Sequence, residues 1–515
     1  MPAQEAFMHP KNHALRSPDK PAVIMAGSGE TITYGDLETR ARQGAQLLRQ
    51  LGLRSGDVVA VFMENHPRYF EVVWAAEHAG LYFCCLSSRL TADEAEYIVR
   101  DSGAKALITS TTLGDVPDVL RDRLAHLRLL SVGGARPGYE DYEAPRASMP
   151  DEAIDSDRPG QDLLYSSGTT GRPKGVKPKP LEHGAPSPQA ERMITLYGMD
   201  AQSVFLCPAP LYHAAPLRWC MAVHRLGGVV VLMEHFDAEG ALAAIDRYQV
   251  THSQWVPTHF VRLLKLPPEI KGKYDLTTHV AAIHGAAPCA VHTKEAMMAW
   301  WGPIIHEYYG GTEGAGLCVI DPGEWMTHSG SVGRAIVGKI RICDPAGDPL
   351  PVGAEGHVYF EGGPSFEYHN DPAKTAESAN RHGWRTLGDI GRIDADGYLY
   401  LTDRKGFMII SGGVNIYPQE IENALLAHPA VLDVAVFGVA DEEMGQRVVA
   451  VVQPLDWDAA TPDLARDLAS FIRQKVSGFK VPREIHFRRD LPREPTGKLF
   501  KRLLVDEYSR PTTPA

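Results

Sequence analysis

Short unbroken apolar runs punctuate the first half of the chain: GDVVAVFM (56–63), KALITS (105–110), RLLSV (128–132), GGVVVLM (227–233), THSQWVP (251–257) and HVAAIHG (279–285). Runs of this length without polar alternation predict strands buried on both faces. Longer stretches with helical periodicity, such as HPRYFEVVWAAEHAG, lie between several of them. Thr33-x-x-Asp36 and Thr91-x-x-Glu94 read as capping boxes that start two helices. Strands alternating with helices predict a mostly parallel sheet covered on both faces.

The pattern changes after about residue 320. Segments of period two with Gly, Pro and Asp-Gly turns (DPAGDPLPVGAEGHVYF, then DADGYLYL) predict small antiparallel sheets, here read as a β-barrel-like subdomain. A closing α+β stretch follows, with helix YPQEIENALLAH, strands VLDVAVFGV and RVVAVVQP, and helix LARDLASFIRQKV. The expected class is therefore α/β, with a large region over 1–404 and a smaller domain over 405–515, cut near DRKG (403–406).

Composition narrows the partners. At about 150 residues per domain, 515 residues suit two or three domains. The net charge of −12, without a long basic run, speaks against nucleic acid. Seven cysteines with no CxxC pair fit a reducing compartment. No apolar run reaches the roughly 18–20 residues of a membrane span, and MPAQEAFMHPKNHALRSPDK lacks a signal-like apolar core. A cytoplasmic protein with no integral membrane association is expected.

Four stretches carry chemistry. In LLYSSGTTGRPKGVK (163–177), hydroxyls at Ser166, Ser167, Thr169 and Thr170 mix with Gly168 and Gly171 ahead of Lys174. Glycines let backbone N–H groups turn into a concave anion nest, and the lysine adds a point charge for phosphate. A Walker A loop would need Gly-Lys where Pro173 and Lys174 stand, so this is a different phosphate loop. In HEYYGGTEGAG (306–316), Thr312 and Glu313 follow an expected strand, and Glu313 suits a Mg²⁺ that bridges phosphates. Asp389, after a glycine, can accept from ribose hydroxyls, and Arg404 can reach ribose or phosphate. In LPREPTGKLFKR (491–502), a Gly-Lys pair stands on a loop.

Together, and in this order, the four stretches resemble the adenylate-forming superfamily: acyl- and aryl-CoA synthetases, nonribosomal-peptide adenylation domains and firefly luciferase. The resemblance runs from TYGDL (33–37) to Lys498. It implies two half-reactions on ATP, Mg²⁺ and coenzyme A. A carboxylate attacks the α-phosphorus to give an acyl-adenylate and pyrophosphate, and a thiol then displaces AMP. It implies that the 166–174 loop holds the β- and γ-phosphates, that Thr312 contacts the α-phosphate and that Glu313 binds the metal. Gly285, Ala286, Ala287, Tyr309, Gly310 and Gly311 would flank the nucleotide, with Asp389 and Arg404 on the ribose. Lys498 would bridge carboxylate and phosphate, and His213 would lie between acyl pocket and thiol tunnel. The C-terminal domain would rotate about Lys405-Gly406, presenting either Lys498 or the Ser411-Gly412-Gly413 loop. A homodimer is compatible with all of this.

Two departures stand out. Gly406 replaces the Asp or Lys common at the hinge, so a hydrogen bond that latches one orientation is expected to be lost. CCLSSRL (84–90) replaces a segment that commonly reads Pro-x-Asn. The acid pocket is expected from Trp219, Trp255 and Phe260, facing small Gly314, Ala315 and Gly316. That lining predicts an apolar, medium-to-large, fatty-acid-like acid. Aromatic or steroid-type acids, an enzyme of one half-reaction only, and a regulator that kept the nucleotide cradle without catalysis are the competing readings.

Overall fold

The strand Val58–Phe62 is buried at every position, and so is its neighbour Tyr82–Leu86. Such strands need apolar residues on both faces, which is why they read as continuous runs rather than alternations. The computed structural model describes residues 9–166, 173–179, 181–182, 187–404, 406–412, 414–493 and 499–509. It divides into two compact units. One is Met1–Trp255 with Pro267–Ala282 and Phe366–Thr375, and the other is Val256–Leu266 with Ile283–Ser365 and Ala376–Ala515. The expected break after residue 404 falls inside the second unit.

In the first unit, six parallel strands run in the order Glu140–Asp141, Arg128–Val132, Ala104–Ser110, Val58–Phe62, Tyr82–Leu86, Gln161–Asp162. CCLSSRL thus begins inside this core, with Cys84 and Cys85 both buried. Both expected capping boxes form, at Thr33–Asp36 and Thr91–Glu94. A further set of strands holds His252–Trp255, Val204–Cys207, Val229–Leu232 and Pro21–Met25 in parallel, edged by antiparallel Thr31–Thr33. Leu164–Ser166 and Lys174–Lys177 pair antiparallel, with Ser166 opposite Lys174.

The second unit carries the expected antiparallel sheets. Lys339–Cys343, Gly356–Glu361, Asp389–Ile393 and Leu399–Arg404 form one of them, in that order. The C-terminal α+β stretch builds a sheet on the long Val431–Asp441/Gly445–Pro454 pair. Helices Pro418–Leu426 and Pro462–Arg473 contribute to one apolar cluster against it, and helix Lys501–Tyr508 contributes to another. All seven cysteines are free. Among the described residues, no helix is long and apolar enough to cross a membrane.

Gly316 and Gly406 make opposite demands. A Cβ on Gly316 would lie 2.1 Å from the Phe360 ring, whereas one on Gly406 would meet nothing within 4 Å. Overpacking a core costs about 1–3 kcal/mol. Gly316→Ala should therefore lower the melting temperature by roughly 2–10 °C. Gly406→Ala should change stability by no more than about 0.5 kcal/mol. Melting curves of the two variants check both values.

Candidate active site

Asp389 opens its strand directly opposite Arg404, and the antiparallel register brings the two side chains together. The carboxylate is buried (5% exposed), accepts a hydrogen bond from the Tyr309 hydroxyl at 2.5 Å, and meets Arg404 Nε at 3.0 Å. A buried carboxylate is costly unless neutralised and hydrogen-bonded, and here both conditions are met. A carboxylate offers about four acceptor sites, so two remain for ligand hydroxyls. Burial works against the Arg404 charge, but Asp389, Tyr309 and Glu313 outweigh it and hold the pKa above the ordinary arginine value. Burial, reinforced by Asp389, raises the Tyr309 phenol well above its usual range, so it stays a neutral donor. The turn into Asp389 is built by Thr386: its hydroxyl accepts from Gly388 N–H at 2.9 Å and donates to the Val358 carbonyl at 2.7 Å. Thr386 is therefore a turn residue in the WRTLGD stretch.

The glycine-rich segment after strand Ile305–Gly310 is shaped by close approaches. A Cβ on Gly311 would come within 2.7 Å of Glu313 Oε2 and 2.8 Å of Leu387 Cδ2, so a larger residue would make both side chains shift. A Cβ on Gly285 would sit 2.7 Å from the Tyr308 ring, and Ala286 adopts a left-handed φ of 69°. A hard carboxylate oxygen at Glu313 fits Mg²⁺, an ion commonly held by one or two carboxylates plus phosphate and water. The His/Asp/Glu groups dense enough to cage a metal among the described residues are His9–Glu77–His78 and His328–Asp394–Asp396, and neither includes Glu313.

The structure adds a cluster that sequence reasoning missed. Lys294 and Glu307 are buried and paired at 2.8 Å, with His284 Nε2 3.4 Å from the same carboxylate oxygen. Burial, with Lys294 beside it, pushes the His284 pKa well down, so the imidazole is neutral. The alternation Ile305-x-Glu307-x-Tyr309 held the signal, since it places a charge on the face that also carries Ile305.

The remaining expected residues are positioned as follows. In the first unit, the Lys174 ammonium lies 5.4 Å from the centroid of the Tyr368 ring. Half-buried His213 is the N-cap of helix Ala214–Leu226, with its ring 4.6 Å from Tyr212, and makes no side-chain cap bond. Trp219 stacks on Phe205, and Trp255 donates to Ser253 Oγ. In the second unit, Phe260 meets His284 and Trp301 edge-on. The space expected beside Gly316 is filled by Phe360, Ala315 is buried, and Gly314 adopts φ 69° with nothing near its Cβ direction. Open space on that side is therefore found at Gly314 and not at Gly316. Ser411 is buried, and Gly412 N–H donates to the Met444 carbonyl. Ser167, Gly168, Thr169, Thr170, Gly171, Lys405, Gly413 and Lys498 lie outside the described residues.

Comparison with known proteins matches this arrangement to a family. The model of the AMP-binding enzyme matches residues 11–366, and that of the AMP-binding enzyme C-terminal domain matches residues 420–498. The chain therefore belongs to the AMP-binding enzymes, the adenylate-forming superfamily that includes the acyl-CoA synthetases. A feruloyl-CoA synthase from Amycolatopsis sp is 33% identical over 96% of each chain. A fatty acid–[acyl-carrier-protein] ligase, ScoC, from Streptomyces coeruleorubidus is 30% identical over 96% of this chain and 95% of its own. The 4-coumarate–CoA ligase 2 of Petroselinum crispum is 30% identical over 94% and 90%. Among solved structures, the amide bond synthetase McbA from Marinactinospora thermotolerans superimposes with a TM-score of 0.82 at 26% identity, covering 98% of this chain and 99% of that one.

Removing the central carboxylate tests the nucleotide role. Arg404 keeps 41% of its side chain exposed, so solvent screens the ion pair. Asp389→Asn should cost only about 1–2 kcal/mol of stability. The same change should raise KM for ATP about tenfold or more, while Tyr309→Phe should produce a smaller rise; initial rates against ATP concentration measure both.

Proposed function

We propose that this enzyme is an AMP-forming carboxylic acid–CoA ligase whose preferred substrate is an aromatic acid. The observation that carries the reaction type is the Asp389–Tyr309–Arg404 cluster with Glu313 beside Arg404, in a chain that the family matches over residues 11–366 and 420–498, on either side of Asp389 and Arg404. In this reading, Asp389 holds the ribose, Arg404 neutralises charge, and Thr312 and Lys174 meet the phosphates. When bound, Mg²⁺ at Glu313 would neutralise phosphate charge. Lys498 brings the acid carboxylate to the α-phosphorus, which is largely a task of positioning and charge neutralisation. Residues 405–515 act as a domain with two orientations, one for each half-reaction.

Two points support an aromatic acid over the fatty acid suggested by residue types alone. Feruloyl- and coumarate-CoA ligases are among the relatives, and both names denote aromatic acids. Phe360 also fills the space beside Gly316, on the side into which a chain or ring was expected to extend, and a shortened pocket favours a compact ring over a long chain. The carrier-protein ligase and the amide bond synthetase make the acceptor a separate question.

A panel of ferulate, 4-coumarate, benzoate and octanoate, each offered with CoA, carrier-protein thiol or a simple amine, tests acid and acceptor together. Ferulate or coumarate with CoA should exceed octanoate in kcat/KM by about tenfold or more, a range that pocket contacts can supply. Octanoate equal to or above them would return the reading to fatty acids. Lys498→Ala should slow adenylate formation by about 10²–10³-fold, the scale of losing one preorganised charge. It should largely spare thioester formation from presynthesised adenylate. Equal losses in the two assays would refute the two-orientation reading.

A further inference from the structure

One residue before Arg404, on the same strand, stands a carboxylate that the chemistry above does not use. Asp403 Oδ1 accepts from Arg404 N–H at 2.6 Å, and Oδ2 accepts from Gln419 N–H at 3.2 Å. Gln419 is the second residue of helix Pro418–Leu426, whose own N-cap residue, Tyr417, makes no side-chain cap bond. Asp403 therefore supplies that cap from outside the helix, where an anion also meets the positive end of the helix dipole. Burial raises its pKa, opposed by Lys501 and by the two N–H donors. Lys501 is itself held by Glu422 at 2.8 Å, and Glu422 also accepts from Val436 N–H.

Two more contacts join the same parts of the chain. The Tyr417 hydroxyl donates to Glu355 Oε1 at 2.6 Å, while Glu355 Oε2 accepts from Thr402 at 2.7 Å. Lys265 Nζ donates to the Val431 carbonyl at 2.5 Å. Each of the three links a residue at or before 403 to one beyond 406. The Arg404–Asp389 pair, by contrast, lies wholly on the near side. Turning the C-terminal residues about the 405–406 link would break the three and leave the ribose-holding pair intact.

We propose that Asp403 is a positioning residue, a latch whose cap on helix Pro418–Leu426 holds the C-terminal residues in the orientation seen here and so sets how the two orientations are populated. The inference rests on the two-orientation reading above. It replaces the expectation that Gly406 leaves the hinge without a latch: the glycine forms none, and the strand supplies one a few residues earlier. Asp403 acts on the populations, and a change in populations moves the two half-reactions in opposite senses.

The test uses the full chain with spin labels at Met326→Cys and Arg466→Cys, both on exposed side chains, with the unsubstituted protein as the control for native thiols. Asp403→Asn should populate a second interlabel distance. It should also change pyrophosphate release and thioester formation from presynthesised adenylate in opposite directions, by about fivefold, the scale of one lost helix cap. Asp403→Glu should recover part of the change. Tyr417→Phe, which cuts a second strap, should shift both readouts in the same sense, and it carries the test if Asp403→Asn does not fold. An unchanged distance distribution, or half-reactions that fall together, overturns the latch. If the parent enzyme catalyses neither half-reaction, the proposed function fails while the distances still judge the latch.

Discussion

A carboxylate that must be buried to do its work is the constraint on which this site depends. Asp389 is kept out of water, and its charge is made tolerable by one arginine and one phenol that come from different strands. Arg404 arrives through antiparallel register alone, because residue 389 faces residue 404 across the pair. Tyr309 arrives from the strand that leads into Thr312 and Glu313. One buried anion therefore ties the end of strand Ile305–Gly310 to the end of strand Leu399–Arg404. Because successive residues on a strand face opposite sides, Asp403 is turned away from that cluster and is available to the C-terminal helix.

Glycines around the site separate into two kinds. At Gly311 a Cβ would meet the Glu313 carboxylate at 2.7 Å and the Leu387 side chain at 2.8 Å, so the close approach includes a polar group. At Gly316 the demand comes from the Phe360 ring, and at Gly175 from Tyr165, whose ring would lie 2.9 Å from a Cβ. The latter two belong to motifs that read as ligand loops, yet their smallness is used by packing. This changes the shape expected of the acid pocket, since space inferred from a small residue is real only where no neighbour has already filled it.

Buried charge recurs on the strand of Tyr309, two residues earlier at Glu307. Lys294 and Glu307 neutralise each other beneath the segment that begins at Gly285, and His284 stays neutral beside them. Such pairs seldom add stability over an apolar core of similar volume, and they punish the loss of either partner. Here the pair joins helix Val291–Trp301 to strand Ile305–Gly310, the strand whose end carries Tyr309 and Gly310.

The order of strands and helices was legible in the sequence because its determinants are local. The short β-branched run Val58–Phe62 is a strand buried at every position, and Thr33–Asp36 and Thr91–Glu94 cap their helices within four residues. The family was legible too, since four short stretches carry its residue types in a fixed order along the chain. What the sequence could not decide was anything set by contact between distant segments. Phe360 filling the space at Gly316, Glu307 meeting Lys294, and Asp403 capping a helix that starts fifteen residues later all depend on register and packing. No single stretch encodes those, because each is a distance between side chains that only the folded chain brings together.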